Sequence, residues 1–209
     1  MKRIAICCAM NQNRSMEVHR LLLENNIKCK SFGTQSVVRL PSPDALKANT
    51  YKYDNTFADI KKDLESKHDV WYEQTGLIDM VDKNIKTKEK PENIFQYAES
   101  MNKNLIELFD LIVSCDKRCY NALIEYAEYE EEERKKIKKI VSRDSHCWVV
   151  NFHIKDSIAD AQSAANSVVD FVKRIFRRTE AGISYDNAVK RVITDFSQEM
   201  NEDMLFKVL

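Results

Sequence analysis

A cysteine and an arginine separated by five residues, with a serine next, lie near the start of the chain: Cys8-Ala9-Met10-Asn11-Gln12-Asn13-Arg14-Ser15. This spacing lets a backbone loop wrap a tetrahedral anion with its amides pointing inward. If the loop opens onto a helix, the orphan N–H groups of the first turn and the helix dipole add to the anion site. The same field favours a thiolate, so Cys8 is the candidate nucleophile. Arg14 offers a planar fork that matches two phosphoryl oxygens. Ser15 can donate a hydroxyl hydrogen bond to the thiolate and help it leave in a second step. The chemistry is phosphoryl transfer through a phosphocysteine, with residues 9–13 (Ala9, Met10, Asn11, Gln12, Asn13) as the phosphate-binding loop.

The pairing alone is weak, because six cysteines and eleven arginines in 209 residues give roughly 0.3 accidental matches at this spacing. Its setting makes it specific. Residues 3–7 read as a buried strand, since Ile4-Ala5-Ile6-Cys7 is apolar on both faces, as in a parallel sheet covered on both sides. Residues 15–25 read as a helix with Val18, Leu21 and Leu22 on one stripe, and residues 27–32 as a second strand closed by Gly33. The Cys8–Ser15 segment is thus the first βα turn of a βαβ unit, at the sheet edge where open α/β folds bind ligands. Cys7 lies inside the strand at the wrong spacing from Arg14 and reads as core.

An alkoxide or phenoxide leaves poorly without a proton, so a general acid must come from another loop at that edge. Strands are expected over 111–115 and 148–154, and Asp116 and Asp156 follow them directly; Asp160 is a third candidate. Spacing leaves the three open. Helices are expected over 56–67, 71–82, 93–108, 118–139, 158–178 and 186–200. Segment 35–96 holds all three prolines (Pro41, Pro43, Pro91) and reads as a lobe beside the sheet that shapes a substrate groove. A zinc site from Cys115, Cys119, His146 and Cys147 is a rival use of the cysteines, but no Cys-x2-Cys pair supports it, and metal is not expected.

Lys+Arg and Asp+Glu both number 33, which argues against a bulk nucleic-acid binder. No apolar stretch is long enough to span a membrane, and none reads as a secretion signal, so the cysteines are expected to stay reduced. The charged segment 125–143 reads as a solvated helix face.

The loop Cys8-x-x-Asn11-Gln12-Asn13-Arg14-Ser15-Met16-Glu17 resembles that of the small cysteine-based serine phosphatases acting on the C-terminal domain of RNA polymerase II, part of the mRNA 3′-end processing machinery. The similarity continues through Ser31-Phe32-Gly33-Thr34, Val38 with Leu40-Pro41, Asn84, Lys88, Pro91-Glu92, Phe95-Gln96, Phe109–Ile112, Cys115, Arg118, Tyr120, Val149–Asn151, Ile154 and Asp156. It implies one α/β phosphatase domain over 1–209. This domain has three layers, a central mostly parallel sheet flanked by helices as in low-molecular-weight tyrosine phosphatases, and the inserted lobe at 35–96. It further implies Cys8 as nucleophile, Arg14 as phosphate clamp, Asp156 as general acid, and a groove of Arg39, Leu40, Pro41 and Met80. The implied substrate is phosphoserine followed by a cis peptide bond to proline in the polymerase heptad repeats. The implied partner is a symplekin-like scaffold of the cleavage and polyadenylation complex, the implied site is the nucleus, and no cofactor is implied. A low-molecular-weight tyrosine phosphatase or arsenate reductase on the same fold is the alternative. The absence of an Asp-Pro pair after the last expected strand and the long 35–96 segment separate this chain from them.

Overall fold

The computed structural model describes residues 2–67, 70–136 and 146–209. Strand β1 (Ile4–Cys8) runs through the Cys–Arg loop into helix α1 (Arg14–Glu24), then β2 (Lys30–Gly33). A hairpin of β3 (Val38–Leu40) and β4 (Asn49–Tyr51) follows, with α2 (Phe57–Ser66), α3 (Val70–Gln74) and α4 (Leu77–Thr87). The chain continues through α5 (Ile94–Ser100), α6 (Leu105–Leu108), β5 (Leu111–Ser114), α7 (Lys117–Lys136) and β6 (Trp148–Asn151). It closes with α8 (Ile158–Glu180), α9 (Tyr185–Met200) and β7 (Phe206–Val208).

The main sheet has the order β2-β1-β5-β6-β7. The first four strands are parallel, and β7 pairs antiparallel with β6. Helices cover both faces, giving the expected three-layer α/β architecture. All five residues of β1 are buried, because successive side chains enter different cores. Ile4, Ile6 and Cys8 join Val18 and Leu22 of α1, Val168 and Val172 of α8, and Val192 of α9. Ala5 and Cys7 join Ile94 of α5, Leu105 of α6 and Leu123 of α7. Each large aliphatic chain so buried is stabilising by about 1.5–3 kcal/mol relative to exposure. The alternation sends the two adjacent cysteines to opposite faces, Cys7 into a closed core and Cys8 toward the mouth of the loop.

A separate apolar cluster is built from Val38, Leu40, Tyr51, Phe57, Ile60, Leu64, Leu77, Met80 and Val81, and it docks on Met16 of α1. Residues 92–93 return to the sheet, where the Gly33 amide donates to the Glu92 carbonyl at 2.7 Å.

Two expected helices are each divided. The 71–82 segment breaks at Gly76, whose left-handed backbone (φ 72°) separates α3 from α4. The 93–108 segment breaks after α5, with Asn102 at φ 50°, and restarts at a capping box of Asn104 and Glu107. The hairpin β3–β4 and the edge strand β7 add to the expected elements. The last residues of the expected 118–139 helix lie outside the described residues, as does part of segment 125–143.

Candidate active site

The carboxyl ends of β1, β5 and β6 lie side by side, so the segments that leave them share one sheet edge. From β1 comes the loop, from β5 Asp116, and from β6 Asp156. Cys8, Met10, Gln12, Asn13, Arg14, Arg39, Leu40, Pro41, Met80 and Asp156 line a cavity of about 230 Å³, completed by Thr75, Leu77, Ser157 and Ile158. The structure therefore brings Cys8, Arg14, Asp156 and all four expected groove residues together.

The loop is held from behind. Asn11 takes a left-handed backbone (φ 54°), and its amide N–H donates to Cys8 Sγ at 3.2 Å. Its side chain donates from Nδ2 to Ser15 Oγ at 3.1 Å, and Ser15 Oγ is 3.0 Å from Cys8 Sγ. Asn11 Oδ1 accepts from the Glu92 amide at 3.0 Å and from Lys88 Nζ at 3.1 Å. Asn84 Nδ2 of α4 donates to the Gln12 carbonyl at 2.7 Å. The Ala9 carbonyl accepts from the Gln35 amide at 2.9 Å. Of the five loop residues, Met10, Gln12 and Asn13 line the cavity, while Ala9 and Asn11 face backwards as supports.

Arg14 is the first residue of α1 and is only 3% exposed. Its NH1 donates to Asp116 Oδ2 at 2.8 Å and to the Ile154 carbonyl at 3.1 Å. Its NH2 donates to Asp156 Oδ2 at 3.0 Å, and its Nε is buried with no acceptor among the described residues. Burial opposes the charge on Arg14, but Cys8, Asp156, Cys115 and Asp116 outweigh it and push the guanidinium pKa up. Asn13, the N-cap of α1, makes no capping bond with its side chain; Nδ2 donates to Asp156 Oδ1 at 3.2 Å instead.

The three candidate acids separate on environment. Asp116 is buried between Arg14 and the Cys119 amide, which donates to its Oδ1 at 2.9 Å. Burial works against its ionisation, yet the Cys119 amide and Arg14 prevail, and its carboxyl titrates below the usual carboxylate range. A carboxylate so held is a poor proton donor near neutrality. The Asp160 amide donates to Ser157 Oγ at 3.0 Å, an N-cap bond that places Asp160 in the first turn of α8. Asp156 alone combines a place on the cavity wall with a half-exposed side chain, 46% accessible.

Burial pushes the Cys7 and Cys115 thiols well above the ordinary thiol range. Cys115 follows the carboxyl end of β5, whereas Cys147 precedes β6 at the opposite end of the sheet, so the four-residue zinc grouping is not assembled. Among the described residues no group of three or more His, Cys, Asp or Glu is placed to hold a metal ion, and no helix is long and apolar enough to cross a membrane.

Asn84, Lys88 and Glu92, which hold the loop, have no role that their sequence positions reveal. They lie 72 to 81 positions from their loop partners. In sequence Lys88 is one lysine in a charged run, with no signal of burial.

A family model described as Ssu72-like protein matches residues 2–209. The mouse and human RNA polymerase II C-terminal domain phosphatases named SSU72 are each 31% identical over 206 residues, covering 99% of this chain and 95% of theirs. The Schizosaccharomyces pombe protein of the same name is 31% identical over 194 residues, 93% of this chain and 88% of its own. Among solved structures, D. melanogaster Ssu72 with Symplekin, bound to a cis peptidomimetic of a phosphorylated C-terminal-domain peptide, superposes with a TM-score of 0.79 at 28% identity, covering 100% of this chain and 97% of that one. An Ssu72 structure concerned with C-terminal-domain modifications that tune its phosphatase activity gives a TM-score of 0.83 at 27% identity, covering 100% and 97%.

Proposed function

The chain belongs to the Ssu72-like protein family, and on that premise we propose that it is an RNA polymerase II C-terminal-domain phosphatase that removes phosphate from phosphoserine-proline sites. The convergence of Cys8, Arg14 and Asp156 on one cavity is the observation that carries this reading.

In the first step the Cys8 thiolate attacks phosphorus, the S–P bond forms, and the P–O bond to serine breaks. The serine oxygen takes its proton from Asp156. In the second step the Asp156 carboxylate removes a proton from water, the new hydroxide attacks phosphorus, and the S–P bond breaks. Ser15 Oγ and the Asn11 amide then receive the returning thiolate charge. Arg14 and the loop amides supply the charge neutralisation that a metal would otherwise provide, so the activity is metal-independent. Binding of the phosphoryl group uses Arg14 Nε and NH2. A phosphoryl oxygen therefore competes with the Asp156 carboxylate for NH2, and protonation of Asp156 releases that hold while arming it as the acid.

Segment 35–96 serves as the substrate lobe of one domain over 1–209. The apolar wall of Leu40, Pro41 and Met80 suits a proline following the phosphoserine, and Arg39 suits a polar flank. Like the fly relative, this protein pairs with a symplekin-like scaffold, and it works in the nucleus.

With enzyme in excess and a chelator present, a phosphoserine-proline heptad peptide should be consumed in two phases. The fast phase is limited by the cis fraction. The slow phase follows uncatalysed prolyl isomerisation, roughly tens to hundreds of seconds, and quickens when a prolyl isomerase is added. A single fast phase running to completion would instead favour the tyrosine-phosphatase alternative.

Asp156→Asn should slow the phosphoserine peptide on the order of 10²–10⁴-fold and an activated aryl phosphate far less, because nitrophenolate leaves without a proton. Asp116→Asn is the control, since it disturbs Arg14 for both substrates alike. If the leaving-group-dependent defect appears with Asp116→Asn and not with Asp156→Asn, the acid is misassigned.

A further inference from the structure

Behind the loop lies a cation that touches none of the reacting atoms, Lys88, at the C-terminal cap of α4, its side chain 13% exposed. Its Nζ donates to Asn11 Oδ1 at 3.1 Å and to the Ser31 carbonyl at 2.9 Å, and it pairs with Glu92 at 2.6 Å. Lysine nitrogen gives protons and, as an ammonium, accepts none. The Glu92 backbone N–H, also only a donor, points at the same Asn11 oxygen. Two pure donors fix which way round the Asn11 amide sits: the oxygen faces Lys88 and the NH2 group faces Ser15. Ser15 Oγ therefore accepts from Asn11, which frees its single proton for Cys8 Sγ.

We propose that Lys88 is a positioning residue whose ammonium sets a one-way chain of donors, Lys88 to Asn11 to Ser15 to Cys8, that holds the Cys8 sulfur as a thiolate. Chains of hydrogen bonds aligned in one sense polarise one another, and this one starts at a cation and ends on the Cys8 sulfur. The inference rests on the phosphatase reading of Cys8 but is tested without turnover.

Other charges also face these groups. Around Cys8 stand Arg14 from α1, Cys115 after β5, Cys119 from α7, Tyr53 from the apolar cluster that holds Leu40 and Met80, and Cys7 from its own strand, while Asp116 faces Arg14. Around Lys88 stand Glu92, Lys30, Cys29 and His19. Burial draws the Lys88 pKa down and the Glu92 carboxylate opposes that. Among the described residues, the hydrogen bonds to Asn11 Oδ1 come from Lys88 and the Glu92 backbone.

The test is alkylation of Cys8 by iodoacetamide across about pH 5 to 9.5, read at the Cys8 peptide by mass spectrometry. In Lys88→Met the curve should move to higher pH, so that the rate near pH 6 falls on the order of tenfold while the plateau is unchanged. Lys88→Arg, which keeps a cationic donor, should stay within about twofold of the parent. In a Ser15→Ala background Lys88→Met should add nothing, because the chain is already cut. A Lys88→Met curve superimposable on the parent's, or a full additional shift in the Ser15→Ala background, overturns the proposal. If Lys88→Met does not fold, Asn11→Gly decides, since glycine accepts the positive φ and removes the middle link; an unshifted Asn11→Gly curve also overturns it. A parent in which Cys8 reacts no faster than Cys7 at any pH would defeat the phosphatase reading as well, whereas a reactive parent with unshifted variants defeats only the donor chain.

Discussion

Cys8→Ser is expected to remove turnover, by on the order of 10⁴-fold or more, while phosphopeptide binding stays within about tenfold. The serine hydroxyl fits the place of the thiol and leaves Arg14, Asn13 and Gln12 untouched, so the phosphate seat survives. The nucleophile does not, because an alcohol's proton is far harder to remove than a thiol's, so the alkoxide is not formed where the thiolate is. Cys7→Ser provides the comparison. Its sulfur lies in the closed core with Phe32 and Leu123, where burial pushes the thiol up. That variant costs stability and leaves most activity per folded molecule. A Cys7 defect as deep as the Cys8 defect, in protein that is fully folded, would place the chemistry on the other sulfur.

Arg14→Lys should be nearly as inactive as Arg14→Ala, with both losing on the order of 10³-fold in kcat/KM. The guanidinium reaches Asp116, the Ile154 carbonyl and Asp156 simultaneously and still has Nε free for a phosphoryl oxygen. A lysine has one nitrogen at its tip and cannot span those positions. Stability should divide the two variants where rate does not. Arg14→Ala leaves the buried Asp116 carboxylate without its cation, a loss of about 3 kcal/mol, and lysine restores part of it. Thermal denaturation beside kinetics reads both effects. Recovery of most activity with lysine would show that charge alone, without the fork, clamps the phosphate.

Much of the site is legible in the sequence because its chemistry is local. Cys8, Arg14 and Ser15 fall within one strand-to-helix turn, and the apolar run before them and the Val18–Leu22 stripe after them identify that turn. The acid is not legible from spacing, since Asp116 and Asp156 both follow strands. Only three-dimensional contacts show Asp116 consumed by Arg14 and the Cys119 amide while Asp156 stays half exposed. The supports of the loop are least legible. Lys88 sits between Thr87 and Glu89 in a charged run, and its partial burial depends on a docking of α4 that no local pattern encodes. Helix periodicity continues across Gly76 and across 101–104, so the helix breaks there read as continuous helix. The strands β3, β4 and β7 are three residues each, too short for an alternating pattern to register.

The central claim is that phosphate passes through a bond to Cys8. Mixing excess enzyme with a phosphoserine-proline heptad peptide, quenching within milliseconds and mapping the digested peptides by mass spectrometry tests it directly. A transient phosphoryl group should appear on the peptide carrying Cys8, rise with release of the dephosphorylated product, and decay with the appearance of inorganic phosphate. Phosphate released in step with product, with no covalent phosphoryl group on Cys8 at any time in single turnover, would contradict the account.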